Sequence, residues 1–265
     1  MEKLVTEAKS GNKAALESLI MEIRDLVYNL SLKMLLFPED AQDATQEILV
    51  RIITHLGTFK GESKFTTWVY RVATNYLLTH KGKQAKEFAM SFDEYATLID
   101  TGQSDRVQYA ENEGELALLE EEVKVSCTQG LLLCLNETQR MAYILGELLE
   151  FNSQEGAIIL DMSPENFRQQ LARSRERIRN FLQAKCGLAN PKNPCRCTRK
   201  IDFLVNQQVI NPEKLRFAHL TNRSIELIGK IKDLENSVAI YRSVPAFATP
   251  EKLVQKIKET IALIG

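Results

Sequence analysis

Long apolar runs are missing from this 265-residue chain. None approaches the roughly 20 residues a bilayer span needs, so no membrane-crossing helix is expected. A sustained apolar–polar alternation is missing as well, and so is any fixed-period repeat, which argues against a β protein and against a solenoid. The first residues, Met1-Glu2-Lys3-Leu4-Val5-Thr6-Glu7, are polar and helical in pattern. No export signal is read there, and a cytoplasmic location is expected. Cysteine is sparse: Cys127, Cys134, Cys186, Cys195 and Cys197. Without export these are expected as reduced thiols or metal ligands, not disulfides. The seven prolines fall at helix starts, at joints, or in the loop at 186–197.

Net charge is nearly missing too, at −1, but that balance hides segregation. Residues 91–122 hold ten Asp or Glu and one Arg, residues 164–200 hold ten Lys or Arg and two Glu, and residues 59–86 hold six Lys or Arg and one Glu. Two basic blocks separated by an acidic one suit a nucleic-acid binder with two contact regions. One such block alone would be an ordinary solvated face.

What is there is helical periodicity, and the fold class expected is all-α. Leu16, Leu19, Ile20, Ile23, Leu26, Val27 and Leu30 form one apolar stripe. Phe37-Pro38-Glu39-Asp40 is a helix start, with acids in the first turn where the helix dipole favours them. On the helix that follows, Ala41, Ala44, Ile48, Leu49, Ile52, Ile53 and Leu56 share one face; Asp43, Gln46, Glu47 and Arg51 share another. A third helix is expected to bury Phe65, Trp68, Val69, Val72, Ala73, Tyr76 and Leu77, leaving Thr67, Tyr70, Arg71, Thr74, Asn75 and Leu78 outside. The segments expected are a helical domain at 1–86, an acidic linker at 87–128 with some helix at 111–125, a second helical domain at 129–185, a Cys/Pro loop at 186–200 and a helical extension at 201–265. In that extension the last helix is amphipathic through Leu253, Ile257, Ile261 and Leu263.

Residues 153–185 have the layout of a helix-turn-helix: a short helix capped by Ser153, a turn at Asp161-Met162-Ser163, and a longer basic helix with Pro164 at its first position. Ala157, Leu160, Met162, Phe167 and Leu171 would pack the pair. Glu165, Asn166, Arg168, Gln169, Arg173, Arg175 and Arg179 would face a DNA groove, early positions reaching base edges and later arginines neutralising phosphates. At 57–83, aromatic and basic side chains interleave, which suits single-stranded DNA: rings stack on bases while cations follow phosphates. At helical spacing Trp68 reads as core, and Tyr70 and Arg71 read as the better exposed candidates.

Two strings carry a resemblance. Asp-Ala-Thr-Gln-Glu-Ile at 43–48 and Phe-Lys-Gly-Glu-Ser-Lys-Phe-Thr-Thr-Trp-Val-Tyr-Arg-Val-Ala at 59–73, with Asn75 after them, resemble region 2 of bacterial sigma factors of the extracytoplasmic-function (ECF) type. Residues 153–179 resemble the family's region 4. The resemblance covers about 1–185 and implies a transcription initiation factor, not an enzyme, that needs no cofactor. It implies that Asp43, Gln46, Glu47 and Arg51 dock on the β′ coiled coil of core RNA polymerase. It implies that Phe59, Lys60, Ser63, Lys64, Phe65, Thr67, Tyr70, Arg71 and Asn75 hold the melted −10 strand of promoter DNA. Region 4 would hold the −35 element and touch the β flap, the acidic linker would lie in the RNA exit path, and an anti-sigma factor would be a further partner. The chain departs from the pattern at Gly156, where a branched residue is usual, and at Asp161, where glycine is common; a somewhat looser first helix is expected. It also continues well past region 4.

Cys186-x8-Cys195-x-Cys197 opens that continuation and suits Zn(II) or Cu(I), with Cys134 or His219 completing the ligand set. Three readings stay open here: a metal or redox sensor, a structural metal staple, and free thiols packing a bend. The extension would act as a built-in regulatory module on region 4 or region 2. Two functional rivals also stay open. A stand-alone helix-turn-helix regulator would bind duplex DNA without polymerase. A decoy that sequesters polymerase would need no −10 chemistry.

Overall fold

Helix α2 (Lys13–Leu35) is the axis of the N-terminal part, because Leu19, Ile20, Ile23, Val27 and Leu30 recur at helical spacing and are almost wholly removed from water. Asn12 caps it, its side chain accepting from the Ala15 amide. Around it pack α1 (Glu2–Lys9), α3 (Pro38–His55) and α4 (Phe65–Thr79). Pro38 starts α3 at its first turn with Glu39 and Asp40 beside it, as the sequence suggests. A short α5 (Lys83–Glu87) follows, its first amides held by the Asp40 carboxylate.

The chain is described here by a computed structural model for residues 1–80, 82–218, 237–242, 244 and 246–264. Among them the architecture is all-α, with no strand beyond a single bridge between Cys186 and Cys195. The remaining helices are α6 (Phe92–Asp100), α7 (Glu113–Leu133), α8 (Glu137–Tyr143), α9 (Ser153–Leu160), α10 (Pro164–Lys185), α11 (Ile201–Asn206), α12 (Ser237–Arg242) and α13 (Glu251–Ile264). A wider helical turn at Ile144–Leu148 continues α8. His219 and Pro245 lie outside the described residues.

These helices make two compact units, and the units do not follow the segments read from the sequence. The first combines 1–88 with 137–171 and 246–265; the second combines 89–136 with 172–245. In the second unit the acidic stretch is structured. Its helix α7 runs to Leu133 and buries Leu119, Val123, Val125, Leu131 and Leu132. Leu119 and Val123 form a core with Ile201 and Ile210. Glu122, nearly wholly buried, accepts from the amides of Arg216, Phe217 and Ala218 at 2.9, 2.8 and 2.8 Å. Three amide donors on one carboxylate satisfy a buried charge that would otherwise be costly.

Opposite charges hold the same unit together. Asp100 pairs with Lys185 at 2.5 Å and Asp105 with Arg199 at 2.7 Å. The Asp202 carboxylate accepts from the Gln108 amide, and Lys200 donates to the carbonyls of Leu98 and Thr101. Arg196 donates to the carbonyls of Asn193, Cys195 and Pro191. Part of the second basic block is therefore engaged inside the molecule. Whole-block charge counts overstate it as a nucleic-acid surface, because acidic and basic runs far apart in sequence neutralise each other here.

Candidate nucleic-acid interface

In the first unit, Asp43, Glu47 and Arg51 stand exposed along one stripe of α3. The Arg51 guanidinium lies 5.0 Å from the centre of the Tyr76 ring. Gln46 is half-buried, because the C-terminal helix α13 lies along its flank: Gln46, Leu49, Val50 and Ile53 line one cleft with Ile257 and Thr260.

The loop before α4 and its first turn form an aromatic cluster. Phe59 meets Phe65 edge-on at 5.3 Å, and Phe65 stacks on Trp68 at 5.6 Å. Phe65 is 0% exposed, so its ring is core in this conformation, and the Trp68 ring it stacks on is half-buried. The Lys9 ammonium holds the Phe59 carbonyl at 2.8 Å. Lys60, Lys64 and Asn75 are exposed, and Ser63 is half-buried with its hydroxyl donating to the Lys64 carbonyl.

The outer face of α4 differs from its periodicity. Thr67 and Thr74 are buried at 4% and 0%, where the spacing puts them outside. Tyr70 and Arg71 are half-buried. Helices α8 and α9 cover that face. Thr74 donates to the Met141 sulfur at 3.6 Å. Tyr70 meets Phe151 edge-on at 4.9 Å, and burial pushes its phenol up to about 12. Arg71 pairs with Asp161 at 2.8 Å. Helical spacing marks this face as different from the core face; it does not say that another helix lies on it.

Asn152 caps α9 with a complete capping box to Glu155, the role the sequence suggests for Ser153. Asp161 ends α9 in the left-handed region, φ 53° and ψ 49°, which Asp tolerates better than most residues. Ser163 opens α10, its hydroxyl accepting from the Asn166 amide at 3.1 Å. Gly156 is required by a close approach: a Cβ there would stand 2.3 Å from the Phe167 ring. The helix pair is therefore tight, not loose, since the ring fills the space a branched side chain would take. On α10, Glu165, Asn166, Arg168 and Gln169 of the first unit are exposed, as are Arg173, Arg175 and Arg179 of the second. Arg168 and Gln169 both donate to the Glu165 carboxylate, at 2.5 and 3.3 Å.

Kinship with known proteins bears on these faces. The profile of sigma-70 region 2 matches residues 19–87. RNA polymerase sigma-H factor of Pseudomonas aeruginosa is 25% identical over 185 residues, which is 69% of this chain and 93% of the relative. ECF RNA polymerase sigma factor SigW of Bacillus subtilis is 25% identical over 69% of this chain and 97% of its own length. ECF RNA polymerase sigma-E factor of Escherichia coli is 28% identical over 68% of this chain and 93% of its own length. By these matches the chain is similar to the sigma-70 family, and within it to factors of the ECF group. The region 2 match of this chain contains α3 and α4, the helices that carry the charged stripe and the aromatic cluster. No helix among its described residues is long and apolar enough to cross a membrane.

The second unit of the chain gathers its thiols. Cys127, Cys186, Cys195 and Cys197 line one small cavity with Ile99, Thr128, Leu131 and Phe181. Burial raises the Cys127 thiol to about 12 and also raises Cys195 and Cys197. Among the described residues no group of three or more His, Cys, Asp or Glu is set to hold a metal ion. The thiol that joins the expected three is Cys127; Cys134 is absent from the cavity lining, its sulfur near the Gly130 carbonyl. Two turns of α7, about 10 Å, separate the two cysteines. Lys124, Cys127, Thr128 and Leu131 at i, i+3, i+4 and i+7 are the signal for this face, and it is legible only once 113–133 is taken as a helix. Sequence reasoning also misses Phe151 and Asp161 as partners of α4, and Asp25 and Asn29 on α2.

Proposed function

We propose that this chain is a transcription initiation factor that binds core RNA polymerase, reads the −35 and −10 elements of promoter DNA and assists melting. The observation that carries the reading is the exposed stripe Asp43, Glu47 and Arg51 on α3, lying inside the region 2 match. An amphipathic helix with such a charged edge suits a helical partner, and the β′ coiled coil is that partner in this reading; the β flap would meet region 4. At the other end, the exposed side chains Glu165, Asn166, Arg168 and Gln169 at the start of α10 suit base edges, and Arg173, Arg175 and Arg179 suit phosphates. Lys60, Lys64, Tyr70, Arg71 and Asn75 would follow the melted strand. Catalysis is left to the polymerase, and the chain acts in the cytoplasm.

Tyr70 and Arg71 reach DNA in this reading only after α9 leaves α4. Two of the side-chain contacts broken in that step are individually modest. The Arg71–Asp161 pair is largely exposed, and exposed pairs contribute about 0–1 kcal/mol. An edge-on aromatic pair such as Tyr70–Phe151 adds about 0.5–1.5 kcal/mol beyond its buried area. Region 4 binding to −35 DNA and to polymerase can offset both.

The thiol-lined cavity supports a narrower role for the extension, as a soft-metal or thiol-redox element. Zinc and copper content of the purified chain, with and without Cys127→Ser, tests it: sub-stoichiometric metal in both preparations leaves only the redox form. For the main reading, core polymerase and the DNA upstream of the chain's own gene are sufficient reagents. Specific transcripts and permanganate-reactive thymines should require both proteins. Tight sequence-specific binding by the purified chain alone, unchanged by core enzyme, would favour the stand-alone regulator. Polymerase binding without melted thymines would favour a decoy.

A further inference from the structure

The C-terminal segment of the first unit is fastened to α2 before it becomes a helix. The Asn29 side-chain amide donates to the Phe247 carbonyl at 2.7 Å, and the Phe247 amide donates back to the Asn29 side-chain oxygen at 2.8 Å. One turn away, the Asp25 carboxylate accepts from both the amide and the hydroxyl of Thr249, at 2.9 and 2.5 Å. Burial alone would raise the Asp25 carboxyl; the Thr249 hydrogen bonds and Arg24 outweigh it and hold it below its ordinary range. This strap delivers α13 to α3. Leu253, Ile257 and Ile261, at i, i+4 and i+8, are 2%, 2% and 6% exposed. Ile257 and Thr260 seat against Gln46, Leu49, Val50 and Ile53.

Gln46 lies one turn from Asp43 and one turn from Val50, on the flank next to the stripe that carries Asp43, Glu47 and Arg51. An α-helix with its side chains is about 10 Å wide. A partner helix running along Asp43, Glu47 and Arg51 therefore overlaps the flank that α13 already holds. We propose that α13 is an intramolecular competitor for this face: it occupies the Gln46 edge of the polymerase-docking helix, and polymerase binds at full strength only when α13 leaves. The proposal rests on the polymerase reading of α3. It identifies the occupant of the cleft as residues 251–264 of the same chain, held there by the 247–249 strap.

The effect follows from populations. If the undocked state is a tenth of molecules or less, apparent affinity for core polymerase is reduced about tenfold or more. Affinity is measured with the full chain and core RNA polymerase. Ile257→Glu should bind about tenfold more tightly than the natural chain, and Leu263→Glu, at a position 88% exposed, should bind as the natural chain does. Glu47→Lys should lose binding in either background. Equal or weaker binding by Ile257→Glu, with Glu47→Lys still defective, overturns the competitor and leaves the docking face standing. Absence of polymerase binding by every variant overturns both. A second measurement needs no substitution: amide exchange at 251–264 should be slow in the free chain and fast in the complex. Protection retained in the complex overturns the proposal.

Discussion

At Asp161 one residue has two jobs. Its backbone takes the left-handed turn that ends α9, and its carboxylate holds Arg71 of α4. The two jobs separate on substitution. Glycine keeps the turn and relieves a left-handed conformation that costs most other residues about 1–2 kcal/mol. It removes an exposed ion pair worth about 0–1 kcal/mol. Asp161→Gly is therefore expected to leave the unfolding free energy, from denaturant titration, within about 1 kcal/mol of the natural value while freeing Arg71. Fluorescence anisotropy with a single-stranded −10 oligonucleotide should report tighter binding. A large loss of stability would show that Arg71 is held for structure. Gly156 shows the complementary point: glycine sits there for space and not for φ, since the Phe167 ring is already where a Cβ would go.

Among the elements, α10 is the most legible. Its start at Pro164, the Ser163 cap and its row of exposed arginines follow from local rules about caps and spacing. Its prediction also belongs to the whole helix. Removing one phosphate-binding arginine should lower the slope of log affinity against log salt by about 0.9 on duplex DNA. Arg173→Ala and Arg179→Ala are each expected to weaken binding of holoenzyme to promoter and non-promoter duplex alike, with that change in slope. Loss of sequence preference instead would move these arginines to base edges. Helix α13 is half legible. Its amphipathic stripe through Leu253, Ile257 and Ile261 is buried as the spacing suggests, but Leu263 is outside it, and the spacing carries no information about which helix it meets.

At the scale of the molecule, the acidic linker is the main revision. Charge counting treats its acids as free, and several of them instead hold residues 185–218 in place. Its Cys127 joins three later thiols in one cavity. That burial has a pH consequence. The ordinary value of the Cys127 thiol is 9.0 and the fold raises it to about 12, so the fold favours the protonated form. The contribution is complete below pH 9 and is lost as pH rises toward 12. The denaturant midpoint of the full chain should therefore fall between about pH 8.5 and about pH 10.5. In Cys127→Ala that fall should be smaller, even though the variant starts lower. An equal fall would assign the alkaline loss to other groups.

The helices of 1–80 and 153–185, the all-α class, the turn at 161–163 and the exposed stripes of α3 and α10 were determined by the sequence itself. They depend on residues three or four apart and on caps, whose physics is local. Only the tertiary structure decided which faces are covered. Helix α9 lies on α4, α13 lies on α3, and the acids of 100–122 meet partners at 185–218. Periodicity shows that a helix has a face suited to burial. It cannot name the surface that buries it, because that choice is made by packing between segments far apart along the chain.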